Sequence, residues 1–227
     1  MKKIVVSLGG SLVVPEKGFL AIRYLEKFRD LISKFLKKYR FFIIVGGGKL
    51  ARFYQGEAKK ITKISKNDLD WLGVFSTRLN ARLVKSFFGK KAYSEIIIDP
   101  LKKKKIKEKI VFGAGWKPGW STDFVSVNLA KTYGVKEILN LTNIDYIYDK
   151  DPKKFKRAKP LKRLSWNQYL KIIGQKWQPG SNYPFDPVGG LLAKKFGIKL
   201  ISMDGRNLRA VDNYLTGKKF KGTIILP

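Results

Sequence analysis

Two apolar runs that end in glycines decide the fold. They are Ile4-Val5-Val6-Ser7-Leu8-Gly9-Gly10 and Phe41-Phe42-Ile43-Ile44-Val45-Gly46-Gly47-Gly48. Neither run alternates apolar with polar residues, which is typical of a strand buried on both faces of a parallel sheet. Ligands of such sheets bind beyond the carboxyl ends of the strands, where glycine lets the backbone approach closely. The two runs therefore predict neighbouring buried strands and a binding site where they end.

Helical and extended segments alternate along the rest of the chain. Helices are predicted at 19–39, 49–61, 69–88, 122–133, 186–196 and 208–215, and further strands at 95–98, 110–112, 137–141, 199–202 and 223–226. In the third helix, Leu72, Phe75, Leu79 and Leu83 form one apolar stripe. Residues 99–109 and 150–182 are predicted to be polar, irregular inserts. This alternation indicates an α/β fold, a three-layer αβα sandwich, and no linker divides the 227 residues.

The composition excludes several classes of chemistry. The chain contains neither cysteine nor histidine. It therefore has no disulfide framework, no thiol nucleophile, no Ser-His-Asp triad and no histidine-ligated metal. Lysine, arginine, carboxylates, hydroxyls, backbone amides and an oxygen-bound metal remain available for catalysis.

The chain is strongly basic. It carries 48 Lys+Arg against 17 Asp+Glu, a formal charge of +31. The lysines are spread widely, with dense runs at Lys102–Lys105 and Lys153–Arg163, which favours a solvated basic surface over a dedicated nucleic-acid site. Any nucleic acid is expected to bind non-specifically through this surface. No apolar run approaches the ~20 residues of a membrane span, so a cytoplasmic protein is expected.

Three glycine clusters follow apolar strands: Gly9-Gly10-Ser11, Gly46-Gly47-Gly48, and Gly113 to Gly119. Each is predicted to lead into a helix, so backbone N–H groups and the positive end of a helix dipole would meet there. Together they indicate a polyphosphate site, although the chain has no Walker or dinucleotide-binding motif. Lys49 and Arg52 follow the second cluster and can face the same anion.

Two further segments have the composition of nucleotide-binding loops. Residues 116–123, Trp-Lys-Pro-Gly-Trp-Ser-Thr-Asp, lead into a helix that Ser121 or Thr122 can cap. Their two tryptophans could stack on a base or cover the core. Residues 142–151 supply hydroxyl, amide, aromatic and carboxylate groups that suit a purine and its ribose, or form an ordinary polar loop.

These segments together resemble the amino acid kinase superfamily, and within it the archaeal-type uridylate (UMP) kinases. The resemblance spans essentially the whole chain. Its motifs are Ser7-Leu8-Gly9-Gly10-Ser11, Val45 to Arg52, Asp70-Trp71-Leu72-Gly73, Thr77-Arg78-Leu79-Asn80-Ala81, Pro118 to Asp123, Leu141 to Asp145, Asp149 to Pro152, and Phe185-Asp186-Pro187. The resemblance implies a single αβα domain over residues 1–227 with a mainly parallel sheet of about eight strands.

It also implies the transfer of the ATP γ-phosphoryl group to UMP, with Mg²⁺ bound through the nucleotide phosphates. The N-terminal part would mainly bind the acceptor and the C-terminal part ATP. Similar family members form hexamers, so a homo-oligomer is expected, with the helix around Phe75–Phe88 as a contact. Such transfer needs alignment and neutralised charge but no general base, which suits a chain without histidine.

The resemblance assigns a role to individual residues. The catalytic set would be Lys49, Arg52 and Asp123. ATP would be bound by Gly10, Ser11, Gly48, Arg52, Thr142, Asn143, Tyr148 and Asp151. UMP would be bound by Gly47, Asp70, Trp116, Lys117, Pro118, Gly119, Trp120, Ser121 and Thr122.

The chain departs from the family pattern at three positions. Many members carry lysine where this chain has Ser7, and Lys49 would supply that charge instead. Leu191 stands where a family lysine usually follows Asp-Pro, and Tyr146 replaces a usual glycine. Three other functions stay open: a kinase for another phosphate acceptor such as isopentenyl phosphate, a nucleotide- or RNA-binding regulator, and a storage or structural homologue. The isopentenyl phosphate branch relies on a histidine that this chain lacks.

Overall fold

The protein is described by a computed structural model, which covers residues 1–15, 20–152, 154–174 and 183–227. Its strands are β1 (Lys2–Leu8), β2 (Tyr39–Val45), β3 (Ala92–Ile97), β4 (Ile110–Gly113), β5 (Glu137–Thr142), β6 (Ile147–Tyr148), β7 (Pro160–Leu161), β8 (Arg163–Ser165), β9 (Lys199–Asp204) and β10 (Thr223–Leu226). Its helices are α1 (Gly10–Val13), α2 (Ile22–Lys34), α3 (Gly48–Ile61), α4 (Lys66–Ser86), α5 (Thr122–Tyr133), α6 (Trp166–Ile173), α7 (Pro187–Lys195) and α8 (Leu208–Leu215).

Eight strands form the central sheet in the order β3-β4-β2-β1-β5-β9-β10-β8. All neighbouring pairs are parallel except β9 and β10, which are antiparallel. The predicted α/β fold with a mainly parallel sheet of about eight strands is therefore confirmed. The two runs that predicted it, now β1 and β2, lie side by side at the centre of the sheet.

Each face of the sheet packs against its own layer of helices. Alternate strand residues such as Ile4 and Val6 join a core with α1, α2, α4 and α8. The residues between them, such as Val5, join a second core with α5, α6 and α7. Because both faces are covered, β1 and β2 need no polar face, which explains their continuous apolar sequence.

The apolar stripe predicted on α4 does not lie wholly against the sheet. Phe75 and Leu79 of the predicted stripe are each 58% exposed, whereas the smaller Val74, Ala81 and Val84 are buried. The helix packs against the sheet through small side chains, and the larger ones face outward. Periodicity alone does not separate two such faces when both carry apolar residues.

The prediction of an irregular insert at 150–182 was wrong for the residues that the structure describes. The β6–β7 hairpin closes between Tyr148 and Pro160, β8 joins the sheet edge, and α6 begins at a capping box formed by Ser165 and Gln168. Residues 153 and 175–182 of this insert lie outside the described residues. Phe19, where the first predicted helix begins, lies outside them too, and the described helix α2 begins at Ile22.

Candidate active site

The glycine loops meet at the carboxyl edge of the sheet. β1 lies between β2 and β5, so the chain leaves β1 beside the ends of both neighbours. The Gly9 N–H donates to Leu141 O (2.9 Å), and the Gly46 N–H donates to Leu8 O (2.9 Å). These bonds join the first loop to the end of β5 and the second loop to the end of β1. The reversal of strand order beside β1 is where open α/β sheets bind their ligands.

Gly10, Gly46 and Gly48 pack backbone against backbone. A Cβ on Gly10 would lie 2.2 Å from Gly48 N and 2.6 Å from Gly46 C, so no other residue fits without moving the backbone. Gly48 also has φ of +60°, a conformation that only glycine adopts without strain. The packing brings the starts of α1 and α3 together. The N-terminal backbones of two helices therefore lie close together, an arrangement that suits an anion.

Lys49 and Arg52 lie in the first part of α3, directly after this glycine contact. Lys49 is half-buried and Arg52 is exposed, and neither forms an ion pair with a described residue. The loop that carries them is held from α4, because the Asn80 amide donates to Gly46 O (2.9 Å) and Gly47 O (3.1 Å). Both cations are thus available to an anion at the start of α3.

Asp123 forms a carboxylate pair with Asp186. The Asp186 N–H donates to Asp123 Oδ2 (3.0 Å), and the Ser7 hydroxyl lies 3.4 Å from Asp123 Oδ1. The Ser121 hydroxyl donates to Asp186 Oδ2, and the Gly189 N–H donates to Asp186 Oδ1 (2.8 Å). The pair therefore joins the first turn of α5 to the N-cap of α7, close to the end of β1.

Burial raises the pKa of both carboxyl groups. Asp123 keeps some solvent-exposed surface, but protein surrounds its carboxylate. Desolvation, followed by the neighbouring Asp186 charge, raises the pKa of Asp123 from 3.8 to about 7. Desolvation raises the pKa of Asp186 as well, against its hydrogen bond from Ser121. Two close carboxylates without a cation beside them favour holding one proton near neutral pH.

Residues 116–122 form a loop that α4 holds from one side. The Gly119 N–H donates to Asp70 Oδ2 (2.9 Å). Asp70, which is predicted to bind the ribose of UMP, therefore contacts this loop directly. Arg78 Nε donates to Gly115 O (3.2 Å) and its Nη2 donates to Trp116 O (2.6 Å). The Arg78 guanidinium also lies over the rings of Trp71 and Phe75, which fixes its direction.

The two tryptophans of this loop stack with the helix that follows. Trp120 stacks on Phe124 with ring centroids 3.9 Å apart, and Trp116 lies 6.3 Å from the same ring and nearly parallel to it. Lys117 places its ammonium group over Trp116, and Pro118 and the positive φ of Gly119 (+83°) form the turn between the two tryptophans. Ser121 caps α5 by accepting the Phe124 N–H (3.0 Å), and Thr122 is the first residue of that helix. Trp120 remains 37% exposed, so its ring can still contact a bound base.

The remaining predicted residues extend from β5 to the β6–β7 hairpin. The Thr142 hydroxyl lies 3.4 Å from Asn143 Oδ1, where β5 ends. The Tyr148 hydroxyl donates to Asp145 Oδ1 (3.1 Å), and Asp151 O accepts the N–H groups of 154 and 155. Ser11 lies in α1, on the other side of the Gly9–Leu141 bond. The structure thus places Thr142 and Asn143 at the end of β5, near the Gly9–Leu141 bond, and Tyr148 and Asp151 further along the chain at the β6–β7 hairpin.

Sequence reasoning left Asp186, Arg78 and Asn80 out of the site. Each stands in a quoted motif, Phe185-Asp186-Pro187 or Thr77-Arg78-Leu79-Asn80-Ala81. An Asp followed by Pro at a helix start is the usual signal of an N-cap, and it could have identified Asp186. Arg78 and Asn80 act through backbone carbonyls far along the chain, which no local pattern indicates.

Within the described residues, no three carboxylate, histidine or cysteine side chains cluster as a metal cage. In the same part of the chain, no helix is both long and apolar enough to cross a membrane.

The sequence matches the amino acid kinase family over residues 2–201. The uridylate kinase of Methanoculleus marisnigri is 36% identical over 210 residues, which is 91% of this chain and 88% of that protein. The uridylate kinase of Pyrococcus abyssi is 31% identical and covers 99% of this chain and 100% of its own length. The crystal structure of uridylate kinase from Archaeoglobus fulgidus superposes with a TM-score of 0.82 at 29% identity, over 99% of this chain and 100% of that one.

Proposed function

The chain belongs to the amino acid kinase family, and from this membership we propose that it is a uridylate kinase, an enzyme that transfers the γ-phosphoryl group of ATP to UMP and produces UDP and ADP. Relatives over essentially its full length carry that name. The observation that carries the proposal is the contact of Gly10 with Gly46 and Gly48 at the strand ends. Two nucleotide phosphates can meet where two helices begin only if no side chain fills that contact.

The chain supplies backbone N–H groups and cations to the phosphates. We assign Gly10, Ser11 and Gly48 to the ATP phosphates and Gly47 to the UMP phosphate. Lys49 and Arg52 neutralise the charge that moves from ATP to the acceptor, because neither is paired with a carboxylate of the described chain. The acceptor is already an anion, so alignment and charge replace a general base.

Asp123 and Asp186 would keep the site from repelling its substrates. Both face inward near the end of β1, and neither has a cation among its described contacts. The raised pKa of Asp123 lets the pair keep one proton near neutral pH, which lowers its repulsion of a triphosphate. Mg²⁺ bound to the phosphates of ATP would shield their charge. We assign Asp123 to the side of the site where the transferring phosphoryl group would lie, and Mg²⁺ commonly needs only one or two protein carboxylates beside phosphate oxygens.

The acceptor nucleoside would lie between α4 and the 116–122 loop. One oxygen of Asp70 is held by the Gly119 N–H, and the other is left for a ribose hydroxyl. The rings of Trp116 and Trp120, whose centroids are 6.2 Å apart and whose planes are tilted by 32°, would form an apolar wall for uracil. On the opposite side, we assign Thr142, Asn143, Tyr148 and Asp151 to the adenosine part of ATP.

The wider setting follows from the same proposal. We propose one kinase domain over residues 1–227, which acts in the cytoplasm and supplies UDP for pyrimidine nucleotide synthesis. The exposed Phe75 and Leu79 of α4 support self-association as a homo-oligomer, with a hexamer expected from the family resemblance.

The proposal is tested by the release of ADP with four acceptors: UMP, CMP, AMP and isopentenyl phosphate. We expect turnover with UMP to exceed turnover with each other acceptor, and to require Mg²⁺. Preferred turnover of isopentenyl phosphate would assign a different kinase. Absence of turnover with all four, together with no rise in melting temperature on adding UMP and MgATP, would contradict any kinase function.

A further inference from the structure

The amino edge of the sheet carries a row of lysines that the kinase site does not use. Here the strands begin, at the end opposite the glycine loops. One lysine stands directly before each of the strands β3, β4 and β5: Lys91, Lys109 and Lys136. Lys3 lies on β1 at the same distance from the edge of the sheet. Together with Lys2 and Lys38, which lie one step further out, these lysines are called the basic edge.

The register places the row on adjacent strands. Lys3 pairs directly with Arg40 of β2, the Phe41 N–H donates to Lys109 O (2.8 Å), and Ile110 pairs with Ala92, the residue after Lys91. Ile138 of β5 pairs with Val5 of β1. Lys136 and Lys3 each lie two residues before one member of this pair, so they are neighbours across the two strands. Neighbouring strands are ~4.8 Å apart, so the row across β3, β4, β2, β1 and β5 is about 19 Å long.

The lysines of the basic edge are exposed and carry uncompensated charge. All six are exposed, and none lies within 4.0 Å of a carboxylate of the described residues. Two are held in place through carbonyls: Lys3 Nζ donates to Tyr133 O (3.0 Å), and Lys136 Nζ donates to Phe196 O (2.8 Å). These bonds fix the side chains and leave their charge unneutralised.

Acidic groups near this edge do not cancel the row. Glu137 is paired with Lys199 at 2.7 Å. Glu108 accepts only a backbone N–H, that of Lys107, and keeps its charge, so it offsets at most one of the six lysine charges. Arg40 is turned inward, where its Nη2 donates to Ile106 O and its guanidinium lies over Phe42. The basic edge is therefore a line of exposed lysines whose backbone positions the sheet holds at fixed spacing.

From this geometry we propose that the basic edge binds double-stranded nucleic acid through its phosphates. The shape of the site is linear, as the phosphate backbone is, whereas a lipid surface is a plane. Over about 19 Å a duplex presents roughly eleven phosphate charges, more than enough for six lysines. The row contains no ring to stack on an unpaired base and no amide or hydroxyl to recognise a base edge. Binding is consequently independent of sequence, and it leaves the opposite edge free for nucleotides.

The test compares two variants of equal charge. The edge variant replaces Lys3, Lys91, Lys109 and Lys136 with Gln, which keeps an N–H donor at each position. The control replaces Lys27, Lys63, Lys171 and Lys218 with Gln; these four are also exposed, and none forms an ion pair with a described residue. Affinity for a 20-base-pair DNA duplex of mixed sequence is measured by fluorescence anisotropy at several salt concentrations.

We expect the edge variant to bind at least tenfold more weakly, and the slope of log K against log salt to fall by about 3 to 4, at ~0.9 per lost phosphate contact. The control should change the slope by less than one. Kinase turnover should be unchanged in both, so failure of this proposal is distinguishable from failure of the kinase assignment. The double variant Lys91→Gln/Lys109→Gln, whose lysines form no side-chain bond here, repeats the test if the fourfold variant is unstable.

Three results would overturn the proposal. Equal losses in the two variants would mean that the whole basic surface binds the duplex. Displacement of the duplex by UMP and MgATP would place binding at the carboxyl edge. Binding to vesicles with 30% phosphatidylglycerol, without binding to the duplex, would identify a membrane surface instead.

Discussion

The two edges of one sheet would meet phosphate by opposite means. At the carboxyl edge, Gly10, Gly46 and Gly48 have no side chains, so backbone N–H groups can approach a phosphate. At the amino edge, lysines extend from the strand starts and no glycine contact is involved. The first edge depends on glycine backbones packed so closely that an added Cβ would lie less than 3 Å from backbone atoms, and the second depends on the number of charges. Single substitutions should therefore be severe at one edge and slight at the other.

The largest effect is expected from Gly10→Ala. Its Cβ would lie 2.2 Å from Gly48 N, and both neighbours are backbone that cannot turn away. We expect turnover to fall by at least 100-fold, and the unfolding free energy to fall by about 1–3 kcal/mol if the loops do separate. Gly56→Ala is the matched control, because an added Cβ there meets nothing within 4 Å. Within a helix it should stabilise by roughly 0.5–1 kcal/mol. Equal activity of the two variants would show that the glycine contact is not needed.

Asp123→Asn is expected to come next for activity. The side-chain oxygen of asparagine can still accept the Asp186 N–H. Asparagine stays neutral, however, so it cannot gain or lose a proton when the substrate binds. We expect kcat to fall by about 100-fold, measured by ADP release at saturating UMP and ATP. A kcat within threefold of the parent would remove Asp123 from the catalytic set.

The same variant should change how stability depends on pH. The pKa of Asp123 is raised in the folded state from 3.8 to about 7, so the folded protein binds more protons than the unfolded chain between these values. The unfolding free energy of the parent should therefore decrease as pH rises from 4 to 7, by at most about 4 kcal/mol. Asp123→Asn should flatten this decrease in urea titrations at pH 5 and pH 8. An equally steep decrease would mean that another group is responsible.

Arg52→Ala should slow phosphoryl transfer by about 10- to 100-fold, since a guanidinium that neutralises transferred charge acts mainly in the transition state. Its exposure and lack of an ion pair predict little change in stability. Stopped-flow measurement of the first turnover gives the chemical rate directly. An unaltered rate would make Arg52 a surface residue like the lysines of the other edge.

Asp70→Ala should raise KM for UMP by about tenfold while kcat changes less, because a hydrogen bond to a charged group contributes about 1.5–3 kcal/mol. It also removes the acceptor of the Gly119 N–H, so protection of that amide from hydrogen exchange should fall. Asp68→Ala, two residues before Asp70 in the first turn of α4, serves as a control for the loss of a carboxylate from this helix. Unchanged affinity for UMP would remove the ribose role.

The smallest effect is expected from Lys109→Ala. Its side chain makes no bond within the described residues, and surface substitutions of this kind usually change stability by less than 0.5 kcal/mol. UMP kinase activity should stay within twofold of the parent. A larger loss of turnover would link the two edges and break the comparison between them.

The features that could be predicted from the sequence alone are those formed by residues close together in the chain. The buried strands, the glycine turns after them and the cap of α5 depend on residues a few positions apart. The outward face of α4 was not predictable, because Phe75 and Leu79 have the spacing of a core stripe and only the sheet decides which side is covered. The β6–β7 hairpin has strands of two residues, too short for an alternating pattern.

The candidate site was predictable in composition but not in arrangement. Motifs supplied Gly10, Gly48 and Asp123, whereas the pairing of Asp123 with Asp186 joins residues far apart in sequence. The basic edge could not be predicted from the sequence for the same reason. Lys3, Lys91 and Lys136 look scattered along the chain, and only the strand register aligns them.

The position of β1 at the centre of the sheet also sets an order of events during synthesis. Its first neighbour β2 follows soon, but its other neighbour β5 begins only at Glu137. At 5–20 residues per second, β5 leaves the ribosome roughly 6–26 s after β1. Until then the nascent chain can complete only β3-β4-β2-β1, with the apolar Val5 to Leu8 unpaired along one side. That open strand would be the place where a newly made chain captures another strand, or a chaperone, before its own β5 arrives.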